Sequence, residues 1–215
     1  VLKGPAAAAL YGSQAANGAI MITTKKGVGR PGAKKTEITY ATNYTISSVL
    51  RYPEFQDKFG QGDVHGIAND RRENFSWGLP FDGQMRPWGQ VVDGRQLVKP
   101  YENQPDNVRS FFRNGKAWEN SVSLAGGNAE SSSFYIGLNS LNSTQVTPGT
   151  FYDKYGIRFN GSTQLSNKFY SSINVNYISI NSKVEAQGQG DNSVWSNLLQ
   201  TPRDIPVWEL ERFND

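Results

Sequence analysis

The chain has no cysteine. That excludes a disulfide frame, thiolate metal ligands and a thiol nucleophile. It has one histidine, His65, and no activated nucleophile motif accompanies it, so no Ser/His/Asp triad can be built. A metal site needs several convergent ligands. His65 with Asp63 and Asp70 in a glycine-containing loop is read instead as solvated, so metal is not expected there. Charge is scarce, at 19% of residues, and 22 Lys and Arg against 19 Asp and Glu leave a net charge of only +3. A field that weak does not fit nucleic acid as the main partner. The longest apolar run, Ala6 to Tyr11, is far short of the ~20 residues of a spanning helix. Gly188 and Gly190 lie in a polar stretch rather than between a strand and a helix, so they form no phosphate cradle. No cofactor is expected, and the chain is not expected to be an enzyme.

What is present is aromatic and polar. Aromatics are 12% of the 215 residues, and Ser, Asn, Gln, Thr and Gly fill the places that charge and aliphatics leave. Disordered chains are poor in aromatics and rich in charge, so a folded chain is expected. Low hydropathy excludes a helical membrane protein. It leaves a transmembrane β-barrel open, because only alternate barrel residues face lipid. The length suits one large domain or two small ones. The first residue is Val1 and the last five provide no terminating element, so both ends are read as cuts through a longer chain.

Residues 1–35 form one unit by pattern. Ala6 to Ala16 predicts a short helix interrupted at Gly12, Asn17-Gly18 a turn, and Ala19 to Thr24 a strand. Six positive charges precede the first acid, Glu37. Thr36 to Tyr44 alternates as a strand. From about Ser47 to Lys116 no period holds, which predicts a long irregular loop. Such loops are functional or cover something. From Ala117 to Ser182 only six residues are charged, and four alternating runs stand out. They are Trp118 to Leu124, Phe134 to Asn139, Ile157 to Ser162 and Phe169 to Tyr177. Connections between them run short, long, short, as in outer-membrane barrels. A soluble sandwich also alternates, but its outward face normally carries Lys, Glu and Asp. Here the polar face is mostly Ser, Asn, Gly and Thr, which suits a barrel lumen filled by water and a plug. Aromatics near the strand ends suit interfacial girdles.

Val1 to Ser13, containing Gly4-Pro5 and Tyr11-Gly12, resembles the closing motif of the plug in TonB-dependent outer-membrane transporters. Ala16 to Gly27, with Asn17-Gly18 and Thr23-Thr24-Lys25-Lys26-Gly27, continues it in a form similar to the SusC/RagA branch of Bacteroidota. Asn120 to Asn128 is similar to that branch's early barrel hairpin, and Leu198 to Pro206 to a later segment. Ser76 to Gly83 fits a recurrent loop motif, with Leu79 a departure. The resemblance implies an all-β fold with a small α/β plug portion, a fragment of a 22-stranded antiparallel transmembrane β-barrel with an N-terminal plug. Residues 1–35 would be the end of the plug and its linker. Residues 36–215 would hold the first strands, at about 36–46, 117–127, 132–142, 153–166 and 168–183, with long extracellular loops 47–116 and 184–215. The expected location is the bacterial outer membrane. The expected partners are outer-membrane lipid, TonB through a segment preceding residue 1, and a SusD-like surface lipoprotein.

Gly4, Pro5, Tyr11, Gly12, Asn17 and Gly18 are the landmarks of the plug motif. Pro5 suits a helix start and the glycines suit tight turns, so a structural role is favoured over substrate contact. Lys25 and Lys26 could steer an anion but more simply end a strand with solvated charge. Trp77, Phe81, Asp82, Arg86, Trp88 and Tyr101 are the candidate contacts to substrate or lid. Aromatic faces stack on sugar rings or peptide side chains, while Asp and Arg fix orientation by hydrogen bonds. The competing reading has the same residues packing the loop on itself or on the barrel rim. The function implied is TonB-dependent import of an oligosaccharide or oligopeptide across the outer membrane. Two alternatives stay open: a siderophore or cobalamin receptor, and a secreted carbohydrate-binding β-sandwich.

Overall fold

The computed structural model describes residues 5–20, 36–62, 74–128, 131–185, 190 and 193–208. Gly4, Lys25, Lys26, His65, Asp63, Asp70, Gly188 and most of the strand expected at 19–24 lie outside them. Helix α1 (Pro5–Tyr11) starts at its proline, whose missing N–H is no loss in a first turn. It ends at Gly12, which adopts φ +79°, and a 3-10 turn follows at Ser13–Ala15. Gly18 has φ +111°, a conformation that favours glycine.

Among the described residues seven strands follow: β1 (Glu37–Ser47), β2 (Met85–Val92), β3 (Arg95–Pro100), β4 (Gly115–Asn128), β5 (Ser132–Thr144), β6 (Phe151–Ser166) and β7 (Phe169–Lys183). The described residues also form two short helices, α2 (Asn107–Phe111) and α3 (Val194–Gln200). The main sheet is antiparallel, with order β1-β4-β5-β6-β7. The four alternating runs of the sequence fall inside β4 to β7. Its edge strands β1 and β7 are exposed at every residue. The strands hold 11, 14, 13, 16 and 15 residues, against about 5–6 for an ordinary globular strand.

The period of two sorts the side chains into unlike faces. On one face the Trp118 indole N–H donates to Thr42 Oγ1 at 3.0 Å, and Asn142 Nδ2 donates to Asp153 and to the Tyr155 hydroxyl. That face carries exposed Ile38, Tyr40, Tyr44, Ile46, Val122, Leu138, Ile157, Ile173 and Val175. On the other face Ser133 and Ser162 hydroxyls meet at 2.8 Å. Asn160, Tyr170, Ser172 and Asn174 surround a small cavity of about 120 Å³ there.

The chain divides into two compact units. The first comprises residues 1–41, 121–139 and 156–178, and holds α1 with parts of the sheet. The second comprises 42–120, 140–155 and 179–215. In the stretch 47–116, expected to be irregular, the described residues include regular elements. Its β2 and β3 form a two-stranded sheet, with Met85 opposite Pro100 and Val92 opposite Arg95. The two-residue turn has φ +49° at Asp93 and +73° at Gly94, the two positive values of a type I′ hairpin. Gly89, at φ +69°, sits where the register shifts between Trp88 and Val92. The core of this unit joins Val108 of α2 to Leu198 of α3 and to Val207, with Tyr52, Phe111 and Phe112 packed around them.

Candidate functional site

The site grows from how residues 52–62 and 74–81 are tied together. Gln56 does most of it. Its Nε2 donates to the carbonyls of Phe59 and Ser76, and its Oε1 accepts from the N–H groups of Lys58 and Phe59. Trp77 N–H donates to Gly62 O, and Phe81 N–H to Lys58 O. Gly60 and Gly78 permit the close approach. A Cβ on Gly60 would lie 2.6 Å from the Tyr101 ring, and one on Gly78 would strike the Gln61 carbonyl.

Four of the six candidate residues meet in one stack. Phe81 lies 5.2 Å from Tyr101, and the Arg86 guanidinium lies 5.2 Å over the same ring. Arg86 pairs with Asp82 at 2.5 Å. Asp82 also accepts the Gln84 N–H at 3.0 Å. The Arg86 hydrogen bond, then the Gln84 N–H, holds the Asp82 carboxyl below its usual range. Tyr101 has no exposed surface, and its hydroxyl donates to Leu79 O at 3.0 Å. Burial, and then the charge of Asp204, pushes its pKa up to about 12. Trp88 is buried beside this stack, with Lys99 Nζ 5.7 Å over its ring and 6.0 Å over that of Tyr101. Trp77 stands apart, 60% exposed, with its ring against Phe59.

The residues that hold this arrangement were not among the sequence candidates. Asp204 is fully buried. It accepts the Gln61 N–H at 2.7 Å and pairs with Lys99 at 2.6 Å. Asn107 donates to Ile205 O and accepts from Val207 N–H. Arg203 lies 4.0 Å over the Phe55 ring and donates to Thr201 O. Burial lowers its pKa. The segment 201–207 is thus sewn into the 52–112 region by side chains. One signal was available: Pro202 and Pro206 bracket two charges next to apolar residues, and charges in a stiff segment of that kind need partners.

A cleft of about 390 Å³ opens beside Trp88. Its walls are the carboxamide residues Gln61, Asn74, Gln90, Asn197 and Gln200, with Thr201, Pro202 and Ile205. Asn74 Nδ2 donates to Gln200 Oε1 at 2.9 Å, which fixes two of them. Among the described residues no group of three or more His, Asp or Glu could hold a metal ion.

No protein-family model matches the sequence. Over 193 residues the chain is 28% identical to a protein of Formosa agariphila named TonB-dependent receptor P26, covering 89% of this chain and 17% of that relative. It is also 28% identical over 163 residues to TonB-dependent receptor P39 of the same organism, covering 72% of this chain and 13% of that relative. The resemblance is to a segment of TonB-dependent receptors. Receptors of this kind are outer-membrane proteins, which places the chain in the outer membrane. The chain spans less than a fifth of the length of either relative. Neither name states a substrate or a SusC-like branch.

Proposed function

We propose that the chain belongs to a TonB-dependent importer that carries an oligomeric nutrient, an oligosaccharide or oligopeptide, across the outer membrane without enzymatic chemistry. In this reading residues 1–35 end the plug. The five long strands begin a 22-stranded barrel of the SusC/RagA type, and 47–116 and 184–215 are extracellular loops. A SusD-like lipoprotein closes over the loops, and TonB remodels the plug to let substrate pass.

The observation that carries the reading is the main sheet. Its strands, of 11 to 16 residues, reach or exceed the ~9–11 residues a tilted strand needs to cross a bilayer. One face is uncharged over most of its length, and its Ile, Val, Leu and Tyr side chains are exposed. Exposed apolar side chains repeated along one sheet face suit contact with a protein or a membrane. The opposite face, of Ser, Asn and Thr, suits a wet lumen. Similarity to two proteins named TonB-dependent receptor supports the same reading.

Extraction of the native polypeptide in mild detergent tests it. A closed barrel resists detergent until heated, so a band far heavier than this chain that changes mobility on boiling is expected. Uptake that stops when the proton gradient is collapsed completes the test. A soluble band with no shift would replace the importer with the β-sandwich. A bound ferric chelate would replace the oligomeric nutrient with a siderophore.

A further inference from the structure

We infer that the cleft beside Trp88 is a subsite for an uncharged, polyhydroxylated ring, a neutral sugar unit rather than a peptide or an acidic sugar. The inference deepens the importer reading, and rests on it for the loop's access to the outside medium.

The cleft's volume of about 390 Å³ lies within the ~300–1,000 Å³ of ordinary small-ligand sites. Its polar lining is of one kind. Gln61, Asn74, Gln90, Asn197 and Gln200 reach it from four separated stretches of chain, and among the described residues no carboxylate, ammonium or guanidinium lines it. A carboxamide offers two donors and two acceptor lone pairs side by side. A hydroxyl also donates and accepts, so neighbouring ring hydroxyls pair with carboxamides without moving a proton. An ionised ligand would be desolvated there with no countercharge among the described lining residues, which is costly. Trp88, Pro202 and Ile205 supply the apolar part of the wall, where the C–H face of a sugar ring can rest.

The walls are held before any ligand arrives. Asn74 and Gln200 bond to each other, and Asn197 Nδ2 donates to Ser193 O at 2.9 Å. The Asn74 and Gln200 carboxamides keep further donor and acceptor capacity. Among the described residues, the charge beside Trp88 is spent on structure: Lys99 is bound to Asp204, and its ammonium lies over the Trp88 ring. Gln96 Nε2 donates to Gly89 O at 3.0 Å, which steadies the bulge beside Trp88. Ordering that is already in place raises affinity, because binding then costs less entropy.

The test uses the whole receptor purified in detergent, with calorimetric titration of three probes: neutral hexose oligomers of several linkages, uronic-acid oligomers of matched length, and neutral tripeptides. Binding of a neutral oligomer in preference to the acidic one and the peptide is expected. Gln90→Ala and Gln200→Leu should each weaken it by roughly threefold to tenfold, the effect of one lost hydrogen bond. Both variants should keep the wild-type heat shift on gels, which separates lost binding from lost folding. Gln200→Glu should penalise the acidic oligomer most. Preference for an acidic oligomer or a peptide would overturn the inference. So would failure of every neutral oligomer to bind, or binding that both variants leave intact. The heat shift and energised uptake report on the importer reading independently, so one can fail while the other stands.

Discussion

At the scale of single residues, two buried groups, Asp204 and Tyr101, tie described parts of the 47–116 region together. Asp204 has no exposed surface, and its partners are Lys99 and the Gln61 N–H. Asp204→Asn keeps an acceptor for Gln61 but leaves the Lys99 ammonium buried beside a neutral amide. Breaking a buried pair on one side costs about 3–5 kcal/mol. Hydrogen exchange in the whole receptor should therefore quicken across 58–62 and 201–207 while the long strands stay protected. Adding Lys99→Met should recover part of the loss, and failure of the double variant to recover anything would show that the charge was not the cause. Tyr101 gives a pH signature. Its folded pKa lies near 12 and its unfolded one near 10. The neutral phenol is thus favoured in the fold, and its contribution is whole below pH 10. It is lost as pH rises to 12, to the extent of about 2–3 kcal/mol. Thermal melting across that range should show the decline. Tyr101→Phe should flatten it while losing the bond to Leu79 O, worth about 1 kcal/mol at neutral pH. Of the six sequence candidates, Phe81, Asp82, Arg86 and Tyr101 meet in one stack, Trp88 lies buried beside it and Trp77 stands apart. The sequence says nothing of Asp204, because its partner Lys99 is 105 positions away and no periodicity links the two. The cleft carboxamides are equally hidden, in a chain where Asn and Gln are common everywhere.

At the scale of elements, the long strands were legible and the hairpin was not, for one reason. In β4 to β7 unlike residue types alternate between the two faces for many residues, so the period of two is plain. In β2 and β3 it is not. Pro87, Gly89 and Pro100 interrupt them, and one register shift moves side chains between faces. The remaining signal was Asp93-Gly94 between Val91-Val92 and Gln96-Leu97, the residue pair that a type I′ turn requires. That turn yields its own prediction. Gly94 sits at φ +73° with open space around it, so Gly94→Ala meets no clash and suffers only the backbone penalty, about 1 kcal/mol. Exchange at the β2–β3 amides should quicken severalfold, with α2 and α3 unaffected. Gly60→Ala differs: its methyl group would press on the Tyr101 ring, so it should disturb the aromatic stack and the Trp88 cleft together. Equal effects of the two substitutions would contradict this account.

At the scale of the whole molecule, the question is what the apolar face of the main sheet meets. Ile157 and Arg158 pose it within a single strand. They are adjacent in β6 and so point to opposite faces. Ile157 is 52% exposed and lies on the face that also carries Val122, Leu138 and Ile173. Arg158 lies on the face of Asn160 and Ser162. If the first face meets lipid, Ile157→Arg puts a guanidinium into hydrocarbon near mid-strand, at about 2–4 kcal/mol. Arg158→Ile removes a charge from the wet side and should cost little there. If the face were only an exposed surface in water, the order would reverse or vanish, since Ile157→Arg would then replace an exposed aliphatic with a soluble side chain. Urea unfolding of the receptor in lipid vesicles separates the cases. The lipid reading expects Ile157→Arg to lower the midpoint clearly and Arg158→Ile to leave it nearly unchanged. A receptor that tolerates arginine at 157 would remove the membrane from the explanation of this face. The strand lengths would then need another cause.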